Sequence, residues 1–251
     1  MLPDRRYDEI IKMLTQRGAL PLKEVAAELG VSEATARRDI TRLAEEGRLS
    51  RVYGGAVIKG PVEPPFDHSH STDREQKVRI AEAAAELVSD SDTVVLDIGS
   101  TVVELSRLLA GRPITVITNN LAVYEVLKNA EPTELILIGG QLRRNYRSTV
   151  GYLAEHVMRQ LQADIAFLGA SGVTRQGRVL DTTPVEVSIK QQIIESSDRV
   201  ALLATERKFP GTGLAVVCGP EAITTLVTTG QTPGEYLRPF STHGAEVVRV
   251  P

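Results

Sequence analysis

The stretch that decides the fold of the N-terminal part of this chain reads Ser32-Glu-Ala-Thr-Ala-Arg-Arg-Asp-Ile40. Ser32 can cap a helix by accepting a backbone N–H, and the spacing that follows predicts a helix from Glu33 to about Glu46. Its inward side consists of Ala36, Ile40 and Leu43, and its outward side of Glu33, Ala34, Arg37, Arg38 and Thr41. The sequence therefore predicts a helix that buries one side and exposes arginines on the other.

Two further helices precede this one. Apolar residues recur at the helical spacing i, i+3, i+4, i+7 in two sets, which are Tyr7, Ile10, Ile11, Leu14 and Leu22, Val25, Ala26, Leu29. Gly18 is expected near the end of the first helix, and Gly30, which is free to adopt positive φ, allows a tight turn before the third. After Gly47, residues 48–57 read as two short strands around Gly54-Gly55. This order is typical of a winged helix-turn-helix that reads a DNA major groove.

The expected DNA contacts are placed residues, because the basic excess is small. Residues 1–59 hold 11 Lys and Arg against 9 Asp and Glu, in a chain whose formal net charge is −3. The candidates are Ser32, Glu33, Thr35, Arg37, Arg38, Thr41, Arg51 and Tyr53. Either Arg37 or Arg38 is suited to guanine or to a phosphate, and Thr35 to a phosphate oxygen. The alternative is a small helical domain whose arginines are merely solvated.

The same residues resemble a known family. Arg6, Ile10 and Leu14, followed by the pattern Ser-x-x-Thr-x-Arg-Arg-Asp that begins at Ser32, are similar to the signature of the DeoR family of bacterial regulators, and Gly54-Gly-Ala56 is also typical of it. Two positions depart from the pattern, since Pro21 stands where a Ser-like cap is usual and Tyr53 where His is common. The resemblance implies a transcriptional repressor that binds an operator and senses a phosphorylated sugar.

A change in composition marks the predicted domain boundary. Residues 60–72 are rich in Pro and small polar residues and show no periodicity, so we expect a DNA-binding domain over 1–57, a linker over 58–72 and an effector-sensing and oligomerisation domain over 73–251. His68 and His70 in the linker lack further clustered ligands, and we expect neither a metal nor a cofactor.

The C-terminal part alternates helices with short apolar runs. An alanine-rich helix is expected from Arg74 to about Val88. The runs are Thr93–Ile98, Ile114–Thr118, Glu134–Ile138, Asp164–Gly169, Arg199–Ala204, Leu214–Val217 and Thr225–Thr228. Continuous Val, Ile and Leu alternating with helices predict an α/β fold with a mostly parallel sheet covered on both faces. The single cysteine, Cys218, reads as a buried small hydrophobe.

Polar turns follow the first four of these runs. Asp97-Ile-Gly-Ser-Thr101 ends one strand and begins a helix, so that Gly99, Ser100, Thr101 and free backbone N–H groups can face an anion such as phosphate. The next turns are Thr118-Asn-Asn120, Gly139-Gly-Gln-Leu-Arg143 and Gly169-Ala-Ser-Gly172. Ligands of parallel sheets bind beyond the carboxyl ends of the strands, and Arg143 and Lys208 can add positive charge there. Each turn alone is more often a plain connection.

These turns also resemble the effector domain of the family, which belongs to the superfamily of ribose-5-phosphate isomerase and the CoA transferases. The resemblance implies that the sugar-phosphate pocket contains Asp97, Gly99, Thr101, Asn119, Asn120, Gly139, Gly140, Ser171 and Lys208, and that Glu186 and Lys190 match a later helix motif. The chain departs from the family at Thr205-Glu-Arg-Lys208, where Asp-x-Ser-Lys is common, so its ligand can differ.

We expect a sensor and not an enzyme. An isomerase of this superfamily needs acidic residues in the loop that here reads Leu168-Gly-Ala-Ser-Gly172, and Glu186 without such partners is a poor base. The alternatives are an isomerase-like enzyme with a DNA-binding appendage and a structural DNA adaptor. A homo-oligomer, dimer or tetramer, is expected because one winged helix reads too few base pairs. The polar N-terminus, the lone cysteine and the lack of a long apolar run favour a cytoplasmic protein without a membrane partner.

Overall fold

The computed structural model describes residues 3–17, 19–46, 48–52, 54–57 and 73–251. The chain divides into two compact units between residues 63 and 64. The predicted linker, with His68 and His70, lies outside the described residues. Of the helices in the described ranges, none has the length and apolar character that a membrane crossing requires.

The described residues of the N-terminal unit form three helices and three short strands. In chain order they are α1 (Pro3–Arg17), β1 (Ala19–Pro21), α2 (Leu22–Leu29), α3 (Glu33–Glu45), β2 (Ser50–Val52) and β3 (Gly55–Val57). The apolar stripes of the helices meet in one core, which includes Ile10, Leu14, Val25, Ile40 and Leu43. Gly30 has φ 63°, so the tight turn between α2 and α3 forms as predicted.

The wing is a three-stranded antiparallel sheet in the order β1-β3-β2. Strand β1 was not predicted, because three residues that end in Pro21 carry no periodic signal. Strand β3 lies so close to β1 that a Cβ on Gly55 would stand 2.2 Å from the carbonyl oxygen of Leu20. Glycine at this position is therefore a packing requirement.

The C-terminal unit is built on a seven-stranded sheet in the order β15-β14-β12-β9-β4-β5-β6, in which every pair is parallel. Its strands are β4 (Thr93–Leu96), β5 (Thr115–Thr118), β6 (Glu134–Leu137), β9 (Ala163–Gly169), β12 (Ser197–Ala204), β14 (Thr225–Thr229) and β15 (Glu246–Val250). The helices are α4 (Arg74–Ala85), α5 (Ser100–Leu109), α6 (Leu121–Leu127), α7 (Tyr152–Met158), α8 (Pro184–Glu195) and α9 (Gly234–Thr242).

The two faces of this sheet bury two separate cores. In β4, Val95 belongs to one core while Val94 and Leu96 belong to the other, and β9 and β12 alternate in the same way. β4 is the first of these strands in the chain, with β5 and β6 on one side of it in the sheet and β9, β12, β14 and β15 on the other. The order of strands thus reverses between β4 and β9, and this is where an open α/β sheet leaves a crevice for a ligand.

One predicted strand is not part of the parallel sheet. The run Leu214–Val217 was expected to join it, but β13 (Ala215–Cys218) pairs with β11 (Val179–Asp181) in an antiparallel sheet that also contains β10 (Gly172–Val173). The seventh parallel strand is instead β15. A four-residue apolar run fixes a strand but not its partner, so this part of the prediction was wrong.

Two smaller features complete the C-terminal unit. Strands β7 (Gln141–Arg143) and β8 (Ser148–Val150) form an antiparallel pair beyond β6. Cys218 was expected to be buried, whereas it is only partly buried at the edge of one core. Burial nevertheless raises the pKa of the Cys218 thiol to about 12.

Candidate nucleic-acid interface and effector site

Helix α3 begins where the sequence places its cap. The Ser32 hydroxyl oxygen accepts the backbone N–H of Thr35 at 3.2 Å, and the two hydroxyl groups lie 2.9 Å apart. Ala36, Ile40 and Leu43 are buried. Ser32 and Thr35 therefore stabilise the start of the helix, whatever they contact in addition.

The outward side of α3 is open to solvent. Glu33, Arg37 and Arg38 are exposed, and Thr41 is half-buried and donates its hydroxyl to the carbonyl oxygen of Arg37 at 2.8 Å. Arg38 donates through Nε to the carbonyl oxygen of Ala34 at 3.4 Å. Both arginines are thus available to a DNA groove, as a recognition helix requires.

A buried ion pair holds α3 against α1. Arg6 donates through Nε to Asp39 Oδ2 at 2.7 Å and through a second nitrogen to Asp39 Oδ1 at 3.1 Å. The hydrogen bonds to Asp39 raise the pKa of Arg6. Both residues belong to the signature quoted above, but the sequence alone gave Asp39 no role. The pair therefore links α3 to α1.

The wing contributes one described candidate. Arg51 on β2 is exposed, as is its neighbour Val52. The turn before β3 is tied to α2, because the Leu22 N–H donates to the Gly54 carbonyl oxygen at 2.8 Å. Tyr53 lies outside the described residues, so its assignment stays a prediction.

The C-terminal unit contains a cavity of about 440 Å³ at the carboxyl ends of β4, β9 and β12. It lies at the reversal of strand order between β4 and β9. Its wall is formed by Asp73, Lys77, Ile98, Gly99, Ser100, Thr101, Val102, Tyr146, Gly169, Ala170, Ser171, Asp181, Lys190, Leu203, Thr205, Arg207, Lys208, Pro210, Gly211 and Thr212. Six of the predicted effector residues are among them: Gly99, Ser100, Thr101, Ser171, Lys190 and Lys208.

One end of this cavity is the first turn of α5. Gly99 precedes the helix with φ 130°, a conformation that favours glycine, and no side chain caps the helix. The first N–H groups of a helix lack intrahelical partners and carry partial positive charge. Gly169 on β9 packs beneath this turn, where a Cβ would lie 2.7 Å from the Ile98 carbonyl oxygen. The two glycines therefore let both backbones approach each other where they line the cavity.

Lys190 forms the charged floor of the cavity. Its Nζ donates to Asp97 Oδ2 and, at 2.9 Å, to the Gly169 carbonyl oxygen, and lies 3.4 Å from Asp181 Oδ2. Burial alone would lower the pKa of Lys190, but the two carboxylates outweigh it and hold the pKa above its ordinary value. Lys190 is therefore a permanent cation that orders Asp97 and Asp181.

Two further lysines face the same space. Lys77 on α4 is 8% exposed, and Lys208 follows β12 in a short 3₁₀ turn and is half-buried. Burial lowers the pKa of Lys77 to about 8, with a smaller contribution from the positive charge of Lys208. Burial likewise lowers the pKa of Lys208. An anionic ligand would relieve the repulsion between these two cations.

Several predicted effector residues are not part of the cavity wall. They are Asp97, Asn119, Asn120, Gly139, Gly140, Arg143 and Glu186. The Asn120 amide oxygen caps α6 by accepting the Ala122 N–H at 2.8 Å, and the Asn119 amide donates to the Thr149 carbonyl oxygen at 2.9 Å. These contacts order the strand ends next to the cavity. Direct contact with an effector stays a prediction for all seven residues.

Arg143 and Glu186 form an ion pair of their own. The Ser148 hydroxyl also donates to Glu186 Oε1, at 2.9 Å. Burial raises the pKa of Glu186 despite the arginine. Arg143 stacks over Tyr146 at 4.9 Å from the ring centroid, and Tyr146 lines the cavity. Arg143 thus supports the wall through its contact with Tyr146.

Sequence reasoning missed four charged residues of the wall, which are Asp73, Lys77, Asp181 and Arg207. Lys77 sits in Arg74-Glu-Gln-Lys-Val-Arg79, a stretch that reads as a solvated helix face. Asp181 ends β11, a strand that was not predicted. Only the positions of Asp73 before a helix and of Arg207 beside Lys208 offered a signal.

Comparison with known proteins identifies both units. Residues 6–61 match the DeoR-like helix-turn-helix domain, and residues 72–230 match the DeoR C terminal sensor domain. The lactose phosphotransferase system repressor of Lactococcus lactis subsp. lactis is 32% identical over 94% of this chain and 95% of its own length. The glycerol-3-phosphate regulon repressor of Escherichia coli K12 is 29% identical over 97% of each chain. The putative aga operon transcriptional repressor of Escherichia coli O157:H7 is 29% identical over 98% of this chain and 93% of its own length.

Solved structures show more distant likenesses. A D-ribose-5-phosphate isomerase in complex with phospho-erythronic acid is 16% identical, covers 54% of each chain and has a TM-score of 0.41. An eIF2B delta from Chaetomium thermophilum is 16% identical over 62% of this chain and 56% of its own length, with a TM-score of 0.46. The chain thus spans about half the length of these structures.

The relatives that match over nearly the full chain are named as transcriptional repressors and not as enzymes. The expectation of a transcriptional regulator is therefore confirmed. The helix-turn-helix match covers α1 to β3, and the sensor match covers the wall of the cavity up to Thr212. This chain belongs to the DeoR family of helix-turn-helix transcriptional regulators.

Proposed function

We propose that this regulator represses a carbohydrate-metabolism operon in the cytoplasm and that a phosphorylated sugar, bound in the cavity of the C-terminal unit, controls it. The observation that carries the proposal is the cavity itself, where lysines and an uncapped helix N-terminus surround a space of about 440 Å³. Such a space is in the range of small-molecule sites. Two relatives point the same way, since they are named for a lactose phosphotransferase system and a glycerol-3-phosphate regulon.

The DNA partner is a double-stranded operator. Arg37 and Arg38 on α3 and Arg51 on the wing are exposed cations that suit guanine edges and phosphates. One such unit reads only a few base pairs, so we expect a homo-oligomer, a dimer or a tetramer, to bind repeated half-sites. Ser32 and Thr35 then act mainly through the geometry of the helix start.

Effector binding is coupled to operator binding by a free energy of about 1 to 3 kcal/mol, which is usual for allosteric regulators. We expect the sugar phosphate to weaken operator binding, which would make it an inducer. The opposite sign would make it a corepressor at the same site.

The experiment has two steps. A duplex is first selected from a random pool with the purified protein, and its affinity is then measured by gel shift with a panel of aldose and ketose phosphates and their unphosphorylated sugars. We expect at least one phosphorylated sugar, and not its parent sugar, to change the affinity by about 5- to 150-fold. If no sugar phosphate alters operator binding or raises the melting temperature, the effector part of the proposal fails.

A further inference from the structure

Exposed apolar side chains are concentrated in one short stretch of the C-terminal unit. Of the ten large apolar side chains that are exposed in the described residues, six lie between positions 136 and 157. We call these six the edge patch, and they are Ile136 and Leu137 on β6, Leu142 on β7, and Tyr152, Leu153 and Val157 on α7. Single exposed apolar residues are normal in soluble proteins, whereas a cluster of them marks an interaction surface.

The exposed apolar side of helix α7 points away from its neighbour α8. Arg159, just after α7, donates through Nε to the Gln192 side chain of α8 at 2.8 Å, so α8 lies on that side. Two positions along a helix correspond to a rotation of about 200°, so Val157 points in nearly the opposite direction from Arg159. Leu153 lies one turn before Val157 and on the same side.

This side of α7 faces the edge of the parallel sheet. Ala154 on the inner side of α7 is buried in the same core as Ile138, which directly follows β6. A Cβ on Gly140 would lie 3.2 Å from the Ala154 Cβ, so α7 packs next to the turn that follows β6. Ile136 is two residues before Ile138 and therefore lies on the face of the sheet that α7 covers. The outer residues of α7 thus continue the apolar surface that begins at Ile136.

Strand β6 leaves this edge open. It is the last strand of the parallel sheet on this side, and an edge strand presents backbone N–H and C=O groups that can pair with another chain. Proteins usually protect such edges with charged side chains. Glu134 supplies a charge at the start of β6, but the exposed residues further along the strand are Ile136 and Leu137. The edge therefore suits a protein partner better than it suits solvent.

The size of the edge patch matches the apolar part of a dimer interface. The exposed fractions of its residues range from 39% to 73%. If a large side chain presents roughly 150 to 250 Å² when fully exposed, the six residues together expose about 500 Å². A stable interface buries about 800 Å² on each partner, and about 65% of the area in homodimers is apolar. The edge patch supplies about that share.

We propose that the edge patch is the surface through which two copies of this chain associate about a two-fold axis. The inference rests on the proposed function, which expects a homo-oligomer, and it assigns a surface to that oligomer. A two-fold interface uses the same patch on both copies, so apolar side chains meet apolar side chains. A second copy is also the partner that an operator with two half-sites requires.

The first test is sedimentation velocity of the full chain at micromolar concentration. The chain has a mass of 27.2 kDa, and we expect the wild type to sediment as a dimer or a larger species. Leu153→Glu would bury one unpaired carboxylate from each copy in the apolar interface, so we expect a species of half that size and a dissociation constant raised at least about 100-fold. A dissociation constant equal to that of the wild type would overturn the proposal.

The matched control is Leu214→Glu. Leu214 is 68% exposed, close to the 65% of Leu153, but it lies just before β13 and outside the edge patch. The same substitution at this position should leave the sedimentation of the wild type unchanged. Dissociation by Leu214→Glu but not by Leu153→Glu would place the contact elsewhere and overturn the proposal.

A second variant separates loss of association from loss of the fold. Far-ultraviolet circular dichroism is recorded for each variant, and Tyr152→Ser removes apolar area from the edge patch without adding a charge. We expect Tyr152→Ser to keep the wild-type spectrum and to weaken association at least about tenfold. If Leu153→Glu fails to fold, Tyr152→Ser decides, and unchanged association in that variant would overturn the proposal.

The outcomes distinguish this inference from the proposed function. If Leu153→Glu associates like the wild type while sugar phosphates shift operator binding, the surface is wrong and the proposed function stands. If Leu153→Glu dissociates while sugar phosphates leave operator binding unchanged, the surface stands and the effector part of the proposed function is wrong. A wild-type chain that stays monomeric, alone and with the selected duplex, would overturn both the surface and the expected homo-oligomer.

Discussion

Replacing Lys190 with methionine removes the cation that lies between two buried carboxylates. The side chains of Lys190, Asp97 and Asp181 are 1%, 0% and 4% exposed. Removing one partner of a buried ion pair costs about 3 to 5 kcal/mol, because the charge left behind has no compensation. In a domain of this size each kcal/mol lowers the melting temperature by about 2 to 4 °C, so we expect a decrease of about 6 to 20 °C.

Differential scanning calorimetry and far-ultraviolet circular dichroism measure this change, and both suit a chain that has no tryptophan. The pH dependence supplies a second readout. In the wild type the pKa of Lys190 lies above the ordinary value of a lysine, so the stabilisation by its charge is fully present below that ordinary value and is lost only at higher pH. The contribution of the Lys190 charge to wild-type stability is therefore already complete well below the pH at which the lysine loses its proton.

We expect the melting temperature of Lys190→Met to approach that of the wild type as the pH falls. Burial already raises the pKa of Asp97 in the wild type, and Lys190 opposes that shift. Without the lysine the pKa rises further, and protonation of Asp97 as the pH falls restores part of the lost stability. Lys128→Met removes a lysine from the exposed pair with Glu125 on α6 and should leave the melting temperature unchanged. The reasoning is refuted if Lys190→Met melts with the wild type at pH 8, or if acid does not narrow the difference.

Two further predictions concern the DNA-binding unit. Arg38→Ala should lower operator affinity by about 1 to 3 kcal/mol in a fluorescence anisotropy titration while leaving the thermal stabilisation by a sugar phosphate intact, since Arg38 is exposed on α3; loss of both responses together would contradict the division of roles. Gly55→Ala should lower the melting transition of the N-terminal unit and weaken operator binding, because its Cβ would stand 2.2 Å from the Leu20 carbonyl oxygen; an unchanged transition would show that the wing tolerates the displacement.

The helices of the N-terminal unit follow from the sequence because each repeats its apolar residues over two turns or more. Apolar residues at helical spacing, such as Ile10 and Leu14, leave few alternatives to a helix. Gly30 then ends the second helix, and Ser32 caps the third. Strand β1 was missed for the opposite reason. Its three residues acquire their conformation from pairing with β3, which lies more than thirty residues later in the chain.

The parallel sheet was predicted from the alternation of apolar runs and helices, but the partner of each run was not. The segment containing Cys218 has the composition of a central strand and nevertheless pairs with Val179–Asp181 outside the main sheet. Hydrophobic composition predicts burial, whereas the choice of neighbour depends on the connections on either side. β15 shows the converse. It joins the main sheet as an edge strand, but its exposed Glu246 and Arg249 interrupt the apolar pattern by which a strand is recognised.

The candidate site divides in a similar way. Residues at strand ends, such as Gly99 and Thr101, could be placed because the carboxyl ends of parallel strands share one edge. Lys77 could not, because its contribution depends on α4 packing beside the turn that carries Lys208. The sequence also does not distinguish residues that line the cavity from residues that order the neighbouring loops. Asn120 is of the second kind, since it caps α6.

The middle position of β3 in the wing has a practical consequence. Strand β3 is the last strand of the N-terminal unit, and it pairs with both β1 and β2. A fragment that stops after α3 would therefore lose Ala56 from its core and leave β1 without a partner. A DNA-binding fragment of this protein that folds on its own must therefore extend through Val57. Shorter fragments would retain every arginine of the recognition helix but would lack the strand pairing of the wing.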